Sequence, residues 1–297
     1  MKIIDAHTHT FNYKPNAKEL IEKMDKASVW GCCIFSNYSD RTNPEIGTSF
    51  DKRLYEILSW TDGYKDRLFP VLWVHPHEKD VFLNVKKAVD SGVIAFKMIC
   101  SDYYVYDETS MKLLSYIAEM GKAVFFHTGI LWDGKVSSNY NRPLNWEHLL
   151  KIKNLRFSMG HCSWPWYDEC IALYGKFLNS IVKSPVSCEM FFDITPGTPK
   201  IYRRDLLTKL LTIGYDVPDN IFFGTDSMVD NYNNGNWVSS WIDYDNKIYD
   251  ELGIADSVRN KIYNGNILRF LGINQKKVTH KLPDIDNSNI MDVNSKR

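Results

Sequence analysis

Two histidines one residue apart, near the start of the chain, have the spacing of metal ligands. His7 and His9 occur in the segment Asp5-Ala6-His7-Thr8-His9. In an extended strand, residues two apart face the same side and lie roughly 7 Å apart, so both imidazoles can approach one cation. Asp5 faces the same side and could orient a ligand from below. An HxH pair alone is common by chance, so its weight depends on what accompanies it.

Three further candidate ligands end other apolar runs. His127 ends AVFFHTG, His161 ends RFSMGHC, and Asp226 ends IFFGTDS. A single histidine at such an edge is more often a hydrogen-bonded core residue, but the repeated placement at strand ends favours a shared site. A divalent cation lowers the pKa of bound water to about 7, and a carboxylate beside it can take up and return the proton. The set predicts metal-assisted chemistry, with Asp226 as the candidate base and acid.

These residues need a scaffold that gathers the ends of distant strands. Apolar, β-branched or aromatic runs alternate along the chain with amphipathic stretches of helical period. The predicted strands span residues 2–9, 29–36, 67–75, 92–100, 123–129, 155–162, 186–195 and 221–227. The predicted helices span residues 16–26, 50–60, 79–89, 108–120, 145–152, 167–182, 203–212 and 258–270, with an extra helix at 241–252.

Eight strand–helix units with continuously apolar strands predict an α/β fold, a single-domain (β/α)8 TIM barrel. Barrel enzymes place catalytic side chains at the carboxyl ends of the strands, where the candidate ligands occur. A doubly wound open sheet is the main alternative, but no glycine-rich phosphate-binding turn follows the first strand. We expect the barrel to span residues 1–275 and a polar tail to span 276–297, where the periodicity is lost.

The order of these motifs resembles the amidohydrolase superfamily. The pattern is DxHxH in the first strand, Lys97 in the fourth, and then HTG, GHC and TD. Within the superfamily the chain most resembles the amidohydrolase-related (amidohydrolase 2 type) branch of metal-dependent hydrolases and nonoxidative decarboxylases. The likeness covers roughly residues 2–273, and its further matches are Arg142-Pro143-Leu144, Trp166-Tyr167-Asp168-Glu169 and Asn264-Gly265-Asn266.

The resemblance implies a mononuclear site, usually zinc, whose ligands are His7, His9, His127 and Asp226. Mn²⁺ or another divalent metal is the alternative cofactor. His161 would then be catalytic, positioning water or polarising the substrate. In binuclear members the strand-four lysine is carbamylated and bridges two metals, so Lys97 and His161 are also candidates for a second ion or for substrate. One ion is favoured over two.

The leading functional interpretation is a metal-dependent hydrolase that uses metal-activated water on an amide, lactone or related C–O or C–N bond. The alternative is nonoxidative decarboxylation of an aromatic or unsaturated acid. A tryptophan-rich motif typical of some decarboxylases is not evident near the third strand's end, which favours hydrolysis. A TatD-like phosphoesterase or nuclease is a third alternative, but it would need a glutamate at the position of Lys97. A non-catalytic barrel is a fourth, but it predicts that a metal ligand is missing, whereas every expected ligand position is filled.

The composition indicates a small-molecule partner. The chain has 36 basic residues (Lys and Arg) and 36 acidic residues (Asp and Glu), so the formal net charge is zero. A balanced charge argues against nucleic-acid binding, which usually needs a basic excess. Loop aromatics favour a pocket for a flat or apolar substrate, with Trp132 as a candidate contact and Arg41 and Arg142 as candidate carboxylate anchors. A second HxH pair, His75 and His77, is interpreted as belonging to the rim. Pro76 between them cannot donate a hydrogen bond to a neighbouring strand, which indicates that the third strand has already ended.

Localisation and assembly follow from weaker signals. The six cysteines include no CxxC pair, and nowhere do 18 apolar residues run together. The start of the chain has no apolar leader region. We therefore expect a cytoplasmic protein with reduced thiols and no membrane segment, and a homodimer is the default expectation for its assembly.

Overall fold

One parallel sheet forms the centre of the computed structural model, which describes residues 1–11, 14–184, 187–197, 199–273 and 278–283. Within those residues the sheet has nine strands, in the order β8-β7-β6-β5-β4-β3-β2-β1-β9. Their bounds are β1 Ile4–His9, β2 Gly31–Phe35, β3 Leu68–Trp73, β4 Ala95–Met98, β5 Ala123–Phe126, β6 Arg156–Met159, β7 Glu189–Asp193, β8 Ile221–Phe222 and β9 Ser227–Met228. Each predicted strand therefore contains an observed one.

The helices follow the strands as the alternating pattern predicts. They are α1 Ala17–Lys26, α2 Phe50–Thr61, α3 Val81–Asp90, α4 Glu108–Glu119, α5 Tyr167–Lys183, α6 Arg203–Thr212, α7 Trp237–Glu251, α8 Asp256–Asn260 and α9 Asn266–Phe270. A π-helical turn, Lys261–Gly265, joins α8 to α9 within the helix predicted at 258–270. The extra helix predicted at 241–252 is α7, which begins four residues earlier.

The segment predicted as an α-helix at 145–152 is instead a 3-10 helix, Pro143–Lys151. Its buried residues are Pro143, Trp146 and Leu149, which recur every third residue. A 3-10 helix has three residues per turn, so this spacing places all three side chains on one face. The sequence pattern was correct about a helical segment and wrong about its period.

The two edges of the sheet approach each other at β1. Ala6 N donates to Phe223 O, just beyond β8, at 3.0 Å, and β9 pairs in parallel with β1 through Thr8 and Ser227. The sheet thus curls into at least a half-barrel, and closure of all eight predicted strands stays a prediction. The predicted eighth strand is interrupted at Gly224, where a Cβ would lie 2.2 Å from Thr195 Oγ1.

Both faces of the sheet are buried, as a barrel requires. Strand β5 illustrates the alternation, because Ala123 and Phe125 belong to the inner cluster whereas Val124 and Phe126 pack against the helices. Helix α9 closes the amino-terminal end of the inner cluster. Its Phe270 ring lies 4.7 Å from the ring of Phe125, between centroids. The interior is therefore a packed core and not a channel.

All six cysteines are free and buried, which agrees with the expectation of reduced thiols.

Of the tail predicted at 276–297, the structure describes residues 278–283, and residues 276–277 and 284–297 lie outside the described part. The described piece is held by His280, whose Nε2 lies 3.1 Å from Glu189 Oε1. No helix in the described part of the chain is long and apolar enough to cross a membrane.

Candidate metal centre

His7, His9 and Asp226 converge at the carboxyl end of the sheet. One ligand atom from each lies within 4.8 Å of the others. His9 Nε2 is 3.0 Å and His7 Nε2 is 3.6 Å from Asp226 Oδ1. In a tetrahedral site with bonds of about 2.0–2.1 Å, ligand atoms are about 3.4 Å apart. The spacing of these atoms therefore fits a single first-row cation.

Asp5 fixes the relative positions of these ligands. Its Oδ1 accepts hydrogen bonds from the backbone N–H of His7 at 3.1 Å and of Thr225 at 2.9 Å. Its Oδ2 accepts one from the Tyr232 hydroxyl at 3.0 Å. Burial raises the pKa of Asp5 to about 7, although these hydrogen bonds oppose the shift. The carboxyl group thus ties strand β1 to the turn that carries Asp226, whereas the sequence indicated only that Asp5 could orient a ligand from below.

Three imidazoles have tautomers that can be assigned from their partners. His7 Nδ1–H donates to Asp193 Oδ2 at 2.7 Å, which leaves the Nε2 lone pair toward Asp226. His127 Nε2–H donates to the Ile130 carbonyl at 3.2 Å, and His161 Nδ1–H donates to a carbonyl at 3.2 Å. Because a carbonyl can only accept, each neutral ring keeps one unprotonated nitrogen, the form that a metal ligand needs.

Asp193 is the site residue that the sequence interpretation missed. It ends β7, and its carboxylate is fully buried against His7. Burial raises the pKa of Asp193, and hydrogen bonds from Thr195 and the charge of Lys97 oppose that shift. The available signal was its position, since it ends the apolar run Glu189–Asp193 just as the other candidates end theirs. A carboxylate behind a histidine orients the ring and raises its basicity toward a metal.

The protonation states match what metal binding requires. Burial lowers the pKa of His7, His9 and His127 below the ordinary value, so these imidazoles are neutral near pH 7. Burial alone would raise the pKa of Asp226, but the hydrogen bond from His9 opposes burial, and the pKa lies well below the usual range. Neutral imidazoles beside an ionised carboxylate form a donor set ready for a divalent cation.

His161 and Lys97 lie close to His7, and His127 lies beside His161. The ring centroids of His127 and His161 are 5.1 Å apart, and that of His161 is 5.5 Å from His7. Lys97 Nζ is 3.5 Å from His7 Nε2, and burial lowers the pKa of Lys97 to about 8 against the pull of Asp193 and Asp226. The structure gathers all three around the candidate centre, and their roles stay predictions.

A cavity of about 650 Å³ opens above the ligands. Trp132 lines it, as expected, and is 79% exposed while its ring stacks within 5° of parallel on Trp164. The described residues that line the cavity do not include Arg41 or Arg142. Arg142 pairs instead with Glu169 of α5, at 2.9 Å from Nη2 to Oε2. Both arginines as substrate anchors thus lack structural support.

The second HxH pair is used for local structure. His75 Nε2–H donates to Asp102 Oδ1 at 2.9 Å, and its Nδ1 accepts from the backbone N–H of His77 at 3.2 Å. Arg41 Nη2 lies 3.3 Å from the other oxygen of the same aspartate. With both ring nitrogens occupied, His75 supports the rim, in agreement with the sequence interpretation.

A family model described as amidohydrolase matches residues 4–273. The chain belongs to the amidohydrolase family. No functionally curated protein shows significant similarity to this amidohydrolase-family chain.

Solved structures share its fold at low sequence identity. An uncharacterised TIM-barrel protein from Bordetella bronchiseptica has a TM-score of 0.65 at 16% identity, over 92% of this chain and 99% of that one. A 2,6-dihydroxybenzoate decarboxylase from Rhizobium has a TM-score of 0.62 at 12% identity, with the same coverage. A probable 2-pyrone-4,6-dicarboxylic acid hydrolase from Acinetobacter baumannii has a TM-score of 0.58 at 14% identity, over 92% and 100%. These similarities establish the fold alone.

Proposed function

We propose that this amidohydrolase-family chain is a metal-dependent hydrolase of an amide, lactone or related C–O or C–N bond in a small organic substrate. The observation that carries the proposal is the convergence of His7, His9 and Asp226 within 4.8 Å at the floor of the cavity. We propose zinc as the ion, since imidazole and carboxylate ligands suit it, and a closed (β/α)8 barrel as the scaffold.

Each side chain has a role that follows from its contacts. A divalent cation held by His7, His9 and Asp226, with His127 as a fourth ligand, supplies Lewis acidity and lowers the pKa of water to about 7. Asp226 takes the proton of the attacking water and returns it to the leaving nitrogen or oxygen. Asp193 keeps His7 in the tautomer with a free Nε2, since the buried carboxylate holds Nδ1–H at 2.7 Å.

We propose one ion and not two. Among the described residues, the compact donor group consists of His7, His9 and Asp226, and with His127 as the fourth ligand it suffices for one ion that expands its coordination to accept water. In this proposal His161 and Lys97 face the substrate, because both lie beside His7 and line the cavity. Their positive or polarising character suits a carbonyl or carboxylate oxygen of the substrate.

The partner is a small molecule. Ligand cavities of about 300–1,000 Å³ commonly bind metabolite-sized compounds, and the cavity here is about 650 Å³. Aromatic side chains at its mouth, Trp132 and Trp164 among them, offer flat apolar surfaces. The substrate therefore combines a hydrolysable polar group near Asp226 with an apolar or planar portion near the rim.

The test begins with metal analysis of the purified protein, followed by a screen of lactones, amides and aromatic acids. We expect zinc or another divalent metal, and hydrolysis that a chelator removes and added metal restores. His7→Ala should lose both metal and turnover while keeping the far-UV circular dichroism of the fold. His148→Ala is the matched control, since that exposed histidine packs on Tyr106 outside the cavity.

The same screen decides between the two chemistries. Release of CO2 from an aromatic or unsaturated acid would identify the chain as a decarboxylase and reject the proposed hydrolysis. Protein that folds but binds no divalent metal would reject both.

A further inference from the structure

Tyr38 is a cavity residue that the proposed chemistry has not used. It follows β2 at the carboxyl end of the sheet and lines the cavity together with His9 and Asp226. Its ring packs between two aromatic rings, at 5.0 Å from Phe11 and 4.2 Å from Trp73, between centroids. Phe11 stacks in turn on His9, at 5.1 Å and within 1° of parallel. The phenol is therefore held in a fixed position relative to the metal ligands.

The backbone around Tyr38 is also fixed. Its N–H donates to Asn37 Oδ1 at 2.8 Å, and its carbonyl accepts from Thr48 N–H at 2.9 Å. The Asn37 side chain additionally donates to the Ile46 carbonyl at 3.0 Å. These bonds close residues 39–48 into a loop whose two ends meet at Tyr38. The side chain is thus anchored on a rigid support, which a group that must stabilise a reacting atom requires.

The hydroxyl of Tyr38 has no hydrogen-bond partner among the residues that the structure describes. Other tyrosines deep in the fold do have one, such as Tyr232 with Asp5 and Tyr174 with the Asp216 carbonyl. The hydroxyls of Tyr103 and Tyr249 also lack partners, but neither residue lines the cavity. Tyr38 alone of these five combines an unpartnered hydroxyl with a place beside the metal ligands.

The hydroxyl remains a neutral donor at physiological pH. Burial raises the pKa of Tyr38 to about 12, and the negative charge of Asp226 adds to the shift. Tyr38 and the proposed proton carrier, Asp226, both line the same cavity. Lys97, the cavity's buried cation, lies instead beside His7. The Tyr38 hydroxyl is therefore an uncharged O–H donor on the His9 side of the centre.

We propose that the Tyr38 hydroxyl donates a hydrogen bond to the acyl oxygen of the substrate and stabilises the oxyanion that forms there during hydrolysis. This inference rests on the proposed function. It assigns a further donor to the carbonyl group, in addition to His161 and Lys97, and commits the substrate class to carboxylic acyl compounds, namely amides, lactones or esters.

The step balances without any additional reactant. The oxygen of water bonds to the carbonyl carbon, the C=O π bond breaks, and its electron pair becomes the negative charge on the acyl oxygen. The proton lost by water passes to Asp226, and Tyr38 donates its hydrogen bond without losing its proton. When the π bond forms again, the C–N or C–O bond breaks and the leaving atom takes the proton from Asp226. A preformed neutral donor is most effective where charge develops in the transition state.

The test compares wild type with Tyr38→Phe on an acyl substrate that the wild type hydrolyses. The variant keeps the ring and its packing and removes only the donor. We expect kcat to fall by about 10²–10³-fold, with KM and metal content almost unchanged. Tyr116→Phe on α4 is the matched control, since that tyrosine packs on Phe82 away from the cavity, and it should behave as wild type.

A second measurement does not depend on turnover. Inorganic phosphate is a tetrahedral oxyanion, and calorimetric titration of the metal-loaded proteins with it should show a Kd about tenfold weaker for Tyr38→Phe. Equal kcat values and equal Kd values for the two proteins would overturn the role of Tyr38 and leave the hydrolase intact. If wild type instead releases CO2 or binds no metal, the proposed function itself fails. A variant affected only in melting temperature would mark Tyr38 as structural and reject the inference.

Discussion

At the scale of single residues, the candidate metal centre depends on a side chain that binds no metal in our proposal. His7 can present Nε2 because Nδ1–H donates to Asp193, whose carboxylate is fully buried. The negative charge also stabilises a ring that becomes more positive when it coordinates a cation. In metal sites of this type, carboxylates behind histidine ligands contribute about 10–100-fold to metal affinity.

We therefore predict that Asp193→Asn lowers the affinity for zinc by about 10–100-fold, because the amide removes the charge while keeping the size of the side chain. Competition with a chromophoric chelator measures the change. Asp133→Asn is the control, since Asp133 lines the same cavity but its carboxylate bonds to Ser137 on the rim. Identical zinc affinities for the two variants would remove Asp193 from the centre.

At the residue scale, the sequence anticipated the convergence of His7, His9 and Asp226, and the roles of these residues stay predictions. His7 and His9 share a strand face, and Asp226 ends an apolar run, so their convergence follows from strand geometry and barrel topology. Asp193 was missed because it belongs to none of the motifs that marked the other candidates, and its contact with His7, 186 positions away, is created only by the packing of the finished sheet. Loops have no periodic sequence pattern, so the sequence could not show where the side chains of Arg41 and Arg142 point. The described residues that line the cavity include neither arginine.

At the scale of elements, periodicity located strands and helices well but failed where packing overrides the pattern. The predicted eighth strand is interrupted over residues 223–226, where Gly224 lies so close to Thr195 and His7 that a Cβ would not fit, and Asp226 has a positive φ of 59°. In a continuous strand, the side chain of Asp226 would point to the face of the sheet that the regular alternation gives it. The interruption therefore places the carboxylate over the centre, and a strand pattern alone does not reveal it.

The loop of residues 39–48 is a second such element. Ser39 and Thr48 form an isolated β-bridge, and Arg53 from α2 donates to the Thr48 carbonyl. Arg53 also pairs with Glu78 at 2.9 Å, and the two side chains are 0% and 6% exposed. This buried pair stands beneath the loop whose residues 42–45 line the cavity.

We predict that Glu78→Ala lowers the free energy of unfolding by about 3 kcal/mol, because it leaves the Arg53 charge buried without a partner. Urea unfolding measures the loss. Lys87→Ala removes one partner of an ion pair of similar length, Lys87 with Asp51, but both of those side chains are well exposed and little change is expected. If the two substitutions have the same small effect, the buried pair does not anchor the loop.

At the scale of the whole molecule, the two ends of the sheet have different tasks. The carboxyl end carries the candidate metal ligands, whereas Glu189 at the start of β7 joins several segments at the amino end. That carboxylate binds Arg269 of α9 at 2.5 Å, Asn220 at 2.9 Å and His280 at 3.1 Å. Three segments distant in sequence thus meet at one acid, on the side of the barrel associated with stability.

This arrangement predicts a stability loss in acid. Burial alone would raise the pKa of Glu189, but the hydrogen bond from His280 and the charge of Arg269 lower it from 4.5 to about 2. Its contribution is therefore present above pH 4.5 and is lost as the pH falls toward 2, by up to about 3 kcal/mol. Denaturant unfolding at a series of pH values should show this loss in wild type and a smaller one in Glu189→Gln.

Glu108→Gln serves as the comparison, since that exposed glutamate pairs only with Lys112 on α4 among the contacts described. Its unfolding curves should follow those of wild type across the acid range. A Glu189→Gln profile that coincides with wild type would show that another group controls the acid limit.

The burial of every native thiol makes the folded protein suitable for site-directed labelling. Burial also raises the pKa of each of these thiols, so the reactive thiolate is scarce at neutral pH. Val136 lies on the segment that lines the cavity mouth and is 98% exposed. A Val136→Cys protein should react with a single maleimide fluorophore, because the buried native thiols do not react. The emission of the fluorophore would then report ligand binding at the cavity mouth without requiring a known product.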